Sequence, residues 1–154
     1  MPRLTKISDI GLESLSADGS YQASAAIVWC MDRRARRARE NLLQMLNYKL
    51  EDLIQVAGGV QGIVGRKPHA RNYLLRQIEL ALLKHGAREI VLMTHQDCAM
   101  FKDKIPIGRD EMKFLARKLV QGMMLVAKHL EPLPFVGPVR GVLVGHAGTF
   151  EVTP

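Results

Sequence analysis

The sequence predicts an α/β fold, a mainly parallel sheet flanked by helices. Three observations carry that reading. Residues 23–29 (Ala-Ser-Ala-Ala-Ile-Val-Trp) form a continuous apolar run, the pattern of a strand covered on both faces. Residues 67–85 place Ala70, Leu74, Ile78, Ala81 and Leu82 on one side of a helix, and Gly86 follows as a stop. Strand-like and helix-like segments then alternate, which calls for parallel strands joined by helices on both faces.

Each element has its own signal. After the strand at 23–29, residues 35–46 read as a helix, with Ala38, Leu42, Met45 and Leu46 at helical spacing. Residues 53–56 are a short apolar strand that stops at Ala57-Gly58-Gly59. The helix at 67–85 leads into a strand at 89–94, a long helix at 110–129 and a strand at 139–144. Residues 150–152 pair back after a turn at Ala147-Gly148. In such sheets ligands bind beyond the carboxyl ends of the strands, where strand order reverses. Cys30 and His95 both stand at the carboxyl end of a strand, so they meet there if their strands are neighbours.

The 154 residues fit one domain, 1–154, with a short N-terminal extension at 1–22. A chain of this length buries enough surface to fold without disulfides. Hydrophobic content of 47% and charged content of 24% exclude a disordered or fibrous chain. No apolar run approaches the ~18 residues of a membrane span. Residues 1–22 lack the apolar core of a secretory signal. The expectation is a cytoplasmic chain with no membrane partner and with both cysteines reduced.

Lys plus Arg is 22 and Asp plus Glu is 15, a net +7. Such charge suits nucleic acid, an anionic membrane surface or a small anionic substrate. Much of it is gathered in Arg33, Arg34, Arg36, Arg37 and Arg39. This cluster reads as a solvated helix face with Arg36 and Glu40 paired at i,i+4. The scarcity of aromatic residues nearby argues against nucleic acid as a partner. Arginines at a helix N-terminus oppose the macrodipole, so an anion is expected beside them, either Asp32 or a ligand.

Chemistry concentrates in two short motifs, Cys30-Met31-Asp32-Arg33-Arg34 and His95-Gln96-Asp97-Cys98. They hold the chain's only two cysteines. Two thiolates and one imidazole are soft ligands that suit zinc, with a fourth position left for water or a carboxylate. By spacing alone, a buried thiol pair beside a packed histidine is an equal alternative. Asp32 tips the balance: a carboxylate there can be a fourth ligand or accept a proton from metal-bound water. Arg34 can hold that carboxylate through a charge-assisted fork. A nearby guanidinium also offsets the charge that two thiolates place on the metal.

Cys30-x-Asp32-x-Arg34 followed by His95-x-x-Cys98 resembles the β-class carbonic anhydrases, especially their short archaeal and bacterial members. The resemblance extends over residues 23–152. It includes Asp52-Leu-Ile-Gln-Val-Ala-Gly-Gly-Val60 and the helix–turn–strand–ligand segment 80–98. It implies four parallel strands plus one antiparallel strand, in a homodimer or a multiple of dimers. It implies Zn²⁺ held by Cys30, His95 and Cys98, with Asp32 and Arg34 as the catalytic pair. Zinc-bound hydroxide would attack CO2 to give bicarbonate, and Asp32 would close the site as fourth ligand in a resting form.

The chain departs from the family pattern at several positions. Gln55-Val56 stand in place of Arg-Asn, Ala99 in place of a Gly, and Thr94 in place of a Gly or His. These changes bear on pocket shape, and two alternatives follow. One is hydrolysis of carbonyl sulfide or carbon disulfide at the same site. The other is a non-catalytic binding module clamped by zinc. His69, His85, His129 and His146 read as helix-end or surface residues, and the methionines and Trp29 as core. Gly58 and Gly59 are expected to let the backbone pass close to the metal loop. Asp97 is expected to cap a turn or orient a ligand.

Overall fold

A computed structural model describes residues 5, 6, 8, 12, 13, 15, 16, 18 and 20–154. The extension expected at 1–22 falls partly outside the described residues. The elements run β1 (Ala25–Cys30), α1 (Arg36–Met45), β2 (Glu51–Val56), α2 (Gln61–Val64) and α3 (Pro68–His85). They continue with β3 (Glu89–His95), α4 (Ala99–Lys102), α5 (Glu111–Leu130), β4 (Val139–Gly145) and β5 (Gly148–Val152). The sheet order is β2-β1-β3-β4-β5. All neighbours are parallel except β4 and β5, as expected.

Apolar burial on both faces explains the parallel core. Every residue of β1 is buried, as are six of the seven in β3. Ile27, Val28, Trp29, Ile90, Leu92 and Met93 are fully enclosed, each worth about 1.5–3 kcal/mol of transfer free energy. A Cβ on Gly141 of β4 would meet Met123 and Leu119 of α5. The next residue, Val142, lines a groove with Leu42 and Met45 of α1. Adjacent strand residues point to opposite faces, so α1 and α5 cover opposite sides of the sheet. The ion pair between Glu79 and His129 (2.6 Å) ties α3 to α5.

From β1 the chain moves to β2 on one side, then returns to β3 on the other. The switch point therefore lies between β1 and β3. These two strands pair only from Ala25↔Glu89 to Val28↔Leu92. Beyond that register they part, and residues 58–60 enter the gap. The Val60 N–H donates to the Met93 carbonyl at 2.8 Å. Gly59 has φ +55°, and a Cβ there would lie 2.2 Å from that same carbonyl oxygen. Only glycine meets both conditions.

The structure adds three elements that periodicity does not reveal. The turns α2 and α4 span four residues each, too short to show a helical period. The helix expected from residue 35 is preceded by a 3₁₀ turn, Arg33–Ala35, capped by Asp32. Strand β2 begins two residues earlier than expected, at Glu51. Its charged start hides it in the sequence. The Asp52 carboxylate accepts from the Tyr21 hydroxyl and pairs with His85 at 2.7 Å, which makes a charge tolerable there.

Candidate metal centre

The switch point brings Cys30, His95 and Cys98 together. Cys30 ends β1, His95 ends β3, and Cys98 is the N-cap of α4. Their ligand atoms all lie within 4.8 Å of one another, and all three residues are buried. The Cys30 sulfur accepts the Gly58 N–H at 3.3 Å and the Asp32 N–H at 3.5 Å. His95 Nδ1 lies 2.8 Å from the Gln96 carbonyl. A proton on Nδ1 satisfies that contact and leaves Nε2 as a lone pair. Nε2 is buried with no hydrogen-bond partner. An orphaned nitrogen beside two buried sulfurs fits a metal ion, because such an atom is costly when left bare.

The two sulfurs titrate as a pair. The neighbouring Cys98 thiol hydrogen-bonds to Cys30 and draws it down to about 4. The same contact pushes Cys98 up, because its own ionisation would set two negative sulfurs side by side. One proton is thus shared, and a divalent cation is the natural replacement for it. Burial works against a charged His95, but the Cys30 contact and the Gln96 carbonyl outweigh it, and His95 is raised.

Asp32 and Arg34 stand beside this trio. The guanidinium donates to Asp32 Oδ2 from a terminal nitrogen at 2.6 Å and from Nε at 3.1 Å. The Arg34 backbone N–H adds a bond to Oδ1 at 2.9 Å. The Arg34 side chain holds the Asp32 carboxyl down to about 2, so it stays ionised near neutral pH. Asp32 Oδ2 is 3.7 Å from His95 Nε2. The anion expected near the arginines is therefore Asp32, and Arg36 pairs with Glu40 at 2.7 Å as expected. A cavity of about 110 Å³, lined by Arg34, His95, Val144 and His146, opens beside His95.

Sequence reading singled out Asp97 but missed what holds it, Glu111 and His146. Asp97 is left-handed, with φ 56°. Its N–H donates to Glu111 at 2.8 Å, its carbonyl accepts from Arg34 at 3.3 Å, and its carboxylate pairs with His146 at 2.5 Å. Glu111 carries no motif, and His146 reads as an ordinary surface histidine. Only the approach of α5 and of the β4–β5 turn places them here. His85 and His129 end their helices and are held by Asp52 and Glu79. Trp29 is core, as expected, as are Met93 and Met123, whereas Met31, Met45, Met100 and Met124 are exposed.

Comparisons with known proteins agree with the fold. The chain resembles β-carbonic anhydrase isoform I of Trichomonas vaginalis at 19% identity and TM-score 0.58, covering 98% of this chain and 88% of that one. It resembles a carbonic anhydrase of Streptococcus mutans at 19% identity and TM-score 0.55, covering 87% and 84%. Two tetrameric β-carbonic anhydrases of Sordaria macrospora are represented at 13% identity and TM-score 0.59, covering 89% and 84%. No curated protein matches the chain. The family model described as "Putative carbonic anhydrase" matches residues 20–137. With most of its length matched and a β-carbonic anhydrase sheet, the chain belongs to the carbonic anhydrase family.

Proposed function

We propose that this chain is a zinc enzyme that reversibly hydrates CO2 to bicarbonate and a proton. The observation that carries the reading is the Asp32–Arg34 fork set 3.7 Å from an orphaned His95 Nε2, next to two thiols. Cys30, His95 and Cys98 would hold the ion. Zinc, when bound there, supplies the Lewis acidity that turns water into a nucleophile near neutral pH. Asp32 would accept a hydrogen bond from the attacking water and orient it, because Arg34 keeps the carboxylate ionised and fixed in direction. Arg34 adds a positive charge near the bicarbonate that forms. A structural clamp would need neither the fork nor an open position beside it.

We further read the protein as cytoplasmic, folding as one domain, and as a homodimer or a multiple of dimers. The Sordaria relatives are described as tetrameric, in keeping with that reading. The test is stopped-flow CO2 hydration between about pH 6.5 and 9 on protein whose zinc content is measured in the same sample. The expected result is one zinc per chain and activity that rises with pH and vanishes in Cys98→Ser. Full zinc loading with no hydration at any pH would overturn the reading.

A further inference from the structure

The arginine-rich run at 33–39 dominates the charge on paper, yet a second cationic surface lies elsewhere. Arg34 is engaged by Asp32 and Arg36 by Glu40. Arg33, Arg37 and Arg39 stay on that run without a salt bridge among the described residues, but a larger set of cations lines two neighbouring grooves near the start of α5. One, of about 620 Å³, is walled by Arg66, Lys67, Lys104 and Lys118. The other, of about 550 Å³, is walled by Arg109, Lys113, Arg117 and the same Lys118. None of these seven forms an ion pair among the described residues. The single carboxylate on either wall, Asp110, is occupied in capping the Lys113 N–H at 3.1 Å.

A second observation says what meets this surface. The loop between α4 and α5 carries Ile107 fully exposed, at 105%. Lys104 and Arg109 flank it, and Pro106 and Gly108 beside it line the second groove. A bare branched aliphatic among unpaired cations matches a surface that is both anionic and partly apolar. We propose that this face docks on an anionic lipid surface, with headgroup phosphates in the two grooves and Ile107 in the interfacial layer.

Single-stranded nucleic acid would use a free aromatic platform. The one ring here, Phe114, is half-buried, capped by the Lys118 ammonium at 5.5 Å and edge-on to Phe101. A second copy would oppose like charges. No helix is long and apolar enough to cross a membrane among the described residues, and surface docking does not require one. The inference revises the sequence expectation of no membrane partner, and it does not depend on the proposed reaction.

The experiment is flotation of the full chain with phosphatidylcholine vesicles, with and without one-third phosphatidylglycerol, at low and high salt. Binding is expected only to the anionic vesicles, and salt should weaken it. Lys113→Glu with Arg117→Glu should lower partitioning by at least about tenfold, since each surface cation contributes several-fold. Ile107→Ser should weaken it at unchanged charge. Arg37→Glu with Lys84→Glu, exposed residues elsewhere with the same net change, should leave it near wild type. Three outcomes would overturn the proposal. These are no flotation with anionic vesicles, equal loss in both charge pairs, or binding of an oligouridine probe at this face in place of vesicles. Circular dichroism on each variant separates lost docking from lost folding.

Discussion

At Gly59 one residue joins fold and site. Its φ of +55° and the 2.2 Å approach of a Cβ to the Met93 carbonyl leave no room for a side chain. The neighbouring Gly58 N–H reaches the Cys30 sulfur, so a shift of this loop disturbs the candidate metal centre as well. Gly59→Ala is expected to destabilise the protein by about 1–3 kcal/mol or more, read as a lower urea midpoint, and to lower zinc content. Arg34 offers a second test. Lysine retains the charge but loses the planar fork that grips Asp32. Arg34→Lys should keep zinc and reduce CO2 hydration on the order of tenfold to a hundredfold. Unchanged hydration in that variant would remove the orienting role assigned to the guanidinium.

Elements succeed or fail by their ends. Helix α5 starts at Asp110, whose side chain caps the Lys113 N–H, and Glu111 follows in the first turn, where the dipole favours an anion. Its buried stripe of Leu115, Leu119, Met123 and Val126 packs on β3 and β4. Asp110→Ala should cost about 1 kcal/mol. A calorimetric scan should show a melting temperature about 2–4 °C lower. The same helix delivers Glu111 to the Asp97 N–H, so its register matters to the metal loop. Helical spacing identified α1 and α3, because both run for several turns. It gave no sign of α2 and α4, since one turn has no period to detect.

Across the whole molecule, a half-buried polar chain links three strands on the α1 side of the sheet. The Tyr48 hydroxyl donates to Glu89, and Arg140 bridges Glu89 at 2.8 Å and Glu151 at 2.7 Å. Burial works to raise the Glu89 carboxyl, but the Tyr48 and Arg140 contacts outweigh it and hold it below its ordinary 4.5. A depressed folded value means that Glu89 binds its proton more readily once unfolded. Its stabilising contribution is therefore full above about pH 4.5 and is lost as pH falls through the lower folded value. Acid unfolding followed by circular dichroism should show this loss, and Glu89→Gln should reduce the acid dependence. An unchanged acid limb in that variant would show that Glu89 does not couple folding to pH.

The sequence by itself determined which segments become strands, because a run such as 23–29 can only be satisfied by burial on both faces. It also displayed the candidate ligand chemistry, since two thiols, an imidazole and the Asp32–Arg34 pair stand in two short motifs. Local physics sets all of these, and local physics is what a sequence displays. Only the tertiary structure decided how the pieces serve the site. Strand order placed Cys30 and His95, 65 positions apart in numbering, on either side of one crevice. The parting of β1 and β3 admitted Gly58 and Gly59, and the packing of α5 brought Glu111 to Asp97. The same folding sorted the cations, pairing Arg34 and Arg36 and gathering in two grooves a set scattered from Arg66 to Lys118. Those relations depend on which surfaces bury one another across long stretches of chain, and no local pattern encodes them.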